Sequence, residues 1–203
     1  MASRREFLQI GVAALALPIS ARNSVSPVVP EHDAEPAPTP LYKAVFDERF
    51  TASRLFGETV QRLGVPVHAI RGDITDLWFH DLYARWKQGP AAIAGLTGHG
   101  PIFCLDRLAW DQGMRVVFRA EHTRRSDGTI EHALSGPAVM LRQAADLGGS
   151  DTEWAVRMAE LVTRCPVNRS PVSKAAILTP SAASASSEQE TLISWVIAPV
   201  KRA

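Results

Sequence analysis

The chain reads as an α/β domain: a mostly parallel sheet of about five strands with flanking helices, a βαβαβαβ core followed by further helices and a late strand. Three observations predict it. Apolar segments of strand length alternate with amphipathic segments of helix length between residues 41 and 119. Gly and Pro punctuate that stretch where helices should start and stop. The composition is that of an ordinary globular chain: 203 residues, 46 % hydrophobic and 21 % charged. That excludes wholesale disorder and fibrous repeats.

Taken in order, Leu41 to Phe46, a short and mostly apolar run, predicts the first strand. Arg49 to Leu63 predicts a helix, with Phe50, Leu55, Phe56, Val60 and Leu63 near one face and Gly64 as its stop. Pro66 to Ile70 is a short second strand. Asp73 to Lys87 predicts a second helix, capped by Asp73 or Thr75, with Leu77, Trp78, Leu82 and Trp86 as its apolar contacts. Ala91 to Ala94 is all small or apolar, as expected of a strand covered on both faces. Pro101 to Gln112 is a third helix ending before Gly113, and Met114 to Arg119 a fourth strand. Beyond it Arg125 to Thr129 predicts the turn of a hairpin joining residues 118–123 to 130–134. Pro137 to Leu147 and Asp151 to Arg164 read as helices separated by Gly148-Gly149. Residues 166–190, rich in Ser, Ala and Pro, read as a long surface loop. Thr191 to Ala198 is the late strand, and Lys201 to Ala203 a short basic tail.

Ahead of this domain the chain has a different character. It opens Ser3-Arg4-Arg5-Glu6-Phe7-Leu8, then an apolar stretch from Ile10 to Ile19, then Ser20-Ala21. Basic, apolar, small is the layout of an export signal. The apolar part has about ten residues, against the roughly 20 that a permanent bilayer span needs. The Ser-Arg-Arg-Glu-Phe-Leu run resembles the bacterial twin-arginine signal, with Gln9 where the family usually has lysine. The resemblance covers residues 1–21, with cleavage expected after Ala21. It implies a periplasmic or secreted protein with no permanent membrane span after cleavage. Twin-arginine cargo crosses the membrane folded, either carrying a cofactor or attached to a partner that has one. The implied partners are therefore the twin-arginine export machinery and a co-exported redox enzyme subunit. Residues 22–40, with Pro27, Pro30, Pro36, Pro38 and Pro40, form a spacer. Residues 41–203 form a single domain.

Losing Arg4, Arg5 and Glu6 with the signal takes 22 basic and 21 acidic residues to 20 of each. A neutral chain has no broad attraction for nucleic acid or anionic lipid. Two cysteines exclude a disulfide scaffold and a four-thiolate zinc site. In an oxidising compartment Cys104 and Cys165 could pair. Cys104 as a nucleophile would need a base such as His99, five residues earlier.

Ligands of open α/β sheets bind beyond the carboxyl ends of the strands. The four strands deliver Asp47, Glu48 and Arg49; Arg71, Gly72 and Asp73; Gly95, Thr97, Gly98, His99 and Gly100; and Arg119, Glu121 and His122. The sharpest feature is Gly95-Leu96-Thr97-Gly98-His99-Gly100-Pro101, between an apolar strand and a helix. Its glycines would allow a tight turn and close approach of a ligand, and the helix behind presents free amides to an anion. The spacing G-x-x-G-x-G is neither the dinucleotide fingerprint nor a phosphate loop, so no cofactor is named. Three readings stay open for it: a plain turn, an anion-binding loop, or a catalytic loop using His99. No two histidines share helical metal-ligand spacing, so no metal site is expected. The ten-residue spacing of His122 and His132 would let them face each other across the hairpin. No serine sits in a nucleophile elbow.

Two functional readings follow. In the first, the protein is an accessory or small-anion-binding protein beside a cofactor-containing enzyme, with Gly95, Thr97, Gly98, Gly100, Arg71 and Arg119 holding the anion. In the second, it is a small enzyme using His99, Asp47, Asp73 and His122 for acid/base chemistry. A third makes it an interaction module using the 166–190 loop.

Overall fold

The computed structural model describes residues 38–147, 153–166, 172–180 and 191–200. The export signal, the spacer as far as residue 37, the Gly148-Gly149 break and the basic tail lie outside the described residues.

In chain order the elements are β1 (Leu41–Asp47), α1 (Thr51–Arg62), β2 (Val67–Ile70), α2 (Thr75–Leu77), a π-helical turn (Trp78–Leu82), α3 (Tyr83–Gln88), β3 (Ala92–Thr97), α4 (His99–Asp111), β4 (Met114–Arg124), β5 (Ile130–Pro137), α5 (Ala138–Gln143), a 3-10 turn (Ala144–Leu147), α6 (Glu153–Thr163), β6 (Val172–Thr179) and β7 (Leu192–Pro199). The α/β alternation expected over the first half is present. The helix expected over 73–87 is broken by the π-helical turn. There Asp81 receives the Tyr42 hydroxyl at 2.6 Å and the Lys43 ammonium, a contact that ties the bulge to β1.

The sheet corrects the expectation of about five mostly parallel strands. It has seven, in the order β2-β1-β3-β7-β4-β5-β6. β1 is parallel to β2 and β3, and every other neighbouring pair is antiparallel. β7 enters between β3 and β4. Because β4 is antiparallel to β7, it still runs in the direction of β1, β2 and β3. The hairpin of β4 and β5 forms as expected. Residues 172–179 correct the long loop expected over 166–190: they are a strand paired along its length with β5. Val172, Ser173, Lys174 and two alanines lack the apolar alternation of a half-buried strand, so only the pairing to β5 identifies it.

Side-chain alternation builds a core on each face of the sheet. Ala44, Leu96, Val196 and Phe118 meet Phe56 and Val60 of α1 and Trp154, Met158 and Val162 of α6. Val45, Ile93, Trp195 and Ile197 meet Leu77, Leu82 and Trp86 of the α2–α3 region and Ile102 and Leu105 of α4. Thus α1 leaves β1 toward one face, and α4 leaves β3 toward the other.

Candidate functional site

Two adjacent parallel strands whose helices depart to opposite faces leave a crevice at their carboxyl ends. Here those strands are β1 and β3. Asp47 ends β1 fully buried. Its carboxylate accepts Arg49 Nε at 2.9 Å on one oxygen and Arg49 Nη2 at 2.7 Å on the other. The Arg49 backbone N–H adds a 3.2 Å bond. The Asp47 N–H donates to Ser53 Oγ at 2.8 Å, and Ser53 donates to the Leu96 carbonyl at 2.5 Å, which ties β1, α1 and β3 together. The guanidinium so held is 44 % exposed at the rim. It lies over Gly72, behind β2, where a Cβ would come within 2.7 Å of it, and 4.0 Å from where a Cβ on Gly98 would stand. Gly72 also has φ +83°, so it is glycine for conformation and for space. Arg49 therefore sits where the loops after β1, β2 and β3 meet, beside the first amides of α4.

Other expected residues take other places. Thr97 is buried in β3, where Oγ1 accepts Trp195 Nε1 at 3.1 Å and donates to the Gly98 carbonyl at 3.0 Å. Gly95 also belongs to β3. A Cβ there would stand 2.6 Å from the Val45 carbonyl oxygen and overlap the Trp195 ring. The glycines were expected to form a tight turn before the helix. Gly95 instead makes room for Trp195, Gly98 precedes α4 with extended ψ 177°, and Gly100 lies within α4. His99 is exposed and stacks on Phe103, with ring centroids 6.0 Å apart. Asp73 is exposed and accepts the Thr75 N–H at 2.8 Å and its hydroxyl at 2.7 Å, which holds its carboxyl below the ordinary range. Arg71 is exposed and pairs with Glu48 at 3.3 Å. Arg119 lies in mid-strand, opposite Trp195 and Ser135, and pairs with Glu121 at 2.9 Å.

His122 points into the α6 side of the sheet. It lies three strand spacings from Asp47, about 14 Å. The set His99, Asp47, Asp73 and His122 therefore lines no common wall, and Asp47 has both oxygens engaged by Arg49. His122 does face His132 across the hairpin: the two Nδ1 atoms are 2.6 Å apart. His122 Nε2 meets Ser194 Oγ at 2.7 Å, and His132 Nε2 meets Thr179 Oγ1 at 3.0 Å. Trp154 of α6 covers both rings, at 4.3 and 5.3 Å between centroids. All five side chains are buried. Ser194 could have been suspected, being the one polar side chain between Leu192 and Val196. Nothing in the sequence marks Thr179 or Trp154.

Cys104 is exposed, Cys165 is buried, and both thiols are free; burial pushes the Cys165 thiol up to about 12. Among the described residues no three His, Cys, Asp or Glu side chains cluster as a metal site. No described helix is long and apolar enough to cross a membrane. Clefts of about 290 and 350 Å³ lie away from the rim, beside Arg157 and Glu160 of α6 and beside Tyr42 and Arg85. The chain matches no protein-family model, no curated protein and no solved structure.

Proposed function

We propose that this protein is exported folded by the twin-arginine route and binds a small anion at the rim between β1 and β3, as an accessory beside a cofactor-containing enzyme. The observation that carries the anion reading is the Arg49 guanidinium, clamped by Asp47 and seated between Gly72 and Gly98 beside α4. A guanidinium held in a fixed plane reads the two oxygens of a phosphate or carboxylate. Helix amides next to it favour the same charge. An open rim suffices for an anion of that size. The export reading rests on Ser3 to Leu8 and the short apolar stretch behind them.

Titration with inorganic phosphate and with succinate, read by calorimetry, tests the anion reading. Binding to the unaltered protein is expected to weaken at least tenfold in Arg49→Met, the loss of about 1.4 kcal/mol or more for a charged hydrogen bond. Equal binding by both proteins would overturn it. For export, Arg4→Lys combined with Arg5→Lys is expected to leave the precursor in the cytoplasm. Recovering the exported protein from its host with a cofactor-bearing partner attached would support the accessory role, and a lone protein would count against it.

A further inference from the structure

Away from that rim, the buried histidines have no part in anion binding. We propose that His122 and His132 form a shared-proton switch that holds α6 against the hairpin of β4 and β5 while one hydrogen lies between the rings, and releases it in acid when both rings are protonated.

The geometry sets the proton count. Two ring nitrogens 2.6 Å apart bond only with a single hydrogen between them. Two arrangements of the neutral pair satisfy every group. In one, His122 Nδ1–H donates to His132, the Ser194 hydroxyl donates to His122 Nε2, and His132 Nε2–H donates to Thr179. In the other, each donor and acceptor changes role. The hydroxyls at the two ends can rotate to suit either. One added proton still leaves every N–H partnered. A second would put two N–H hydrogens and two positive charges into the same gap, and the rings must part. Trp154 lies over both rings, so parting them displaces the start of α6. The indole N–H has no acceptor among the described residues, so packing in the core, the contact with the two rings included, holds it there.

The surroundings favour the neutral state. The side chains facing the pair are a hydroxyl from β7, a hydroxyl from β6 and the indole of α6. On the pair's own strands, Glu121 and Glu131 face the other side of the sheet and pair with Arg119 and Arg125, and the half-buried Arg124, two residues beyond His122, is the charged group on the pair's side. On α1, Arg54, Glu58 and Arg62 are exposed; on α5 and α6, so are Arg142, Glu153, Arg157 and Glu160. Burial pushes His132 down to about 4, and burial with His132 beside it pushes His122 well below the ordinary range.

The test uses the full chain, 15N-labelled, from about pH 7.5 to about pH 4, spanning the ordinary histidine range. Long-range proton–nitrogen spectra read the ring nitrogens, and near-ultraviolet circular dichroism reads tryptophan packing. Two neutral, tautomer-sharing rings at pH 6 are expected, with tryptophan packing lost in one step below it. The folding constant should fall by up to about tenfold per pH unit for each proton the unfolded chain alone binds. His132→Gln is expected to flatten that step, and His68→Gln, at a half-buried histidine outside the pair, to leave it in place. Should His132→Gln fail to fold, the ring spectra of the unaltered chain decide. Both rings carrying a charge with tryptophan packing intact would overturn the switch. So would an acid step unchanged by His132→Gln, or one abolished by His68→Gln.

Discussion

At Gly95 the absence of a side chain is a packing requirement. β3 runs straight through this position, directly opposite Trp195 of β7. The indole lies over the missing Cβ, and its N–H is satisfied by Thr97 two residues along the same strand. Gly95→Ala must push the indole aside or part β3 from β1, because the other neighbour is the Val45 backbone. Overpacking of this kind costs about 1–3 kcal/mol. Urea unfolding should show a loss in that range with the rim unaltered, so that phosphate binding by the folded fraction is unchanged. A loss of binding without a loss of stability would return Gly95 to the ligand site. The same contact explains why the Gly-rich segment was only half legible. The sequence shows a glycine; only the strand register shows that a tryptophan about 100 residues later needs its space.

Among the elements, β7 decides the architecture. It is the last strand in the chain and lies between β3 and β4, which do not pair with each other. Ile193, Trp195, Val196 and Ile197 are essentially fully buried and serve both cores. At roughly 1.5–3 kcal/mol for each such side chain, their burial rivals the entire stability of a domain, about 5–15 kcal/mol. Ending the chain at residue 190 should therefore abolish the cooperative unfolding transition seen by circular dichroism, leaving β3 and β4 as unpaired edges. A folded, soluble truncated protein would refute this role. The elements up to β4 were legible because each helix stands next to its strand in the chain, and the hairpin because Arg125 to Thr129 carries its turn. The place of β7 was not legible, since insertion is a long-range event that leaves no local mark. β6 was missed for the opposite reason, its local composition being that of a loop. The candidate site followed the same division. Asp47, Arg49, Gly72 and Gly98 could be placed at strand ends from the alternation, but the clamp of Asp47 on Arg49 could not. The facing histidines followed from the hairpin, whereas their outer partners came from β6, β7 and α6.

Over the whole molecule, the buried imidazoles make stability depend on pH in a window separate from that of the carboxylates. His132 is neutral when folded down to about 4, whereas an unfolded histidine takes its proton near 6.5. Its contribution is therefore fully present above pH 6.5 and is lost as the pH falls from 6.5 toward 4. Across that interval the loss is about 3 kcal/mol. His122 acts in the same direction, and so does His68, lowered first by burial and then by Lys43. Carboxylates act later. Asp81, which burial alone would raise, is held below its ordinary value by the hydrogen bonds from Lys43 and Tyr42. Its contribution is present above the ordinary value of 3.8 and disappears only as the pH falls below it. Urea midpoints measured across the pH range should therefore decline from 6.5 to 4, before the carboxylates titrate, and decline again below 3.8. A profile flat down to pH 4 and falling only beyond it would mean that the folded pair accepts protons as readily as the unfolded chain. Neutrality of the buried rings would then have no part in holding the sheet to α6.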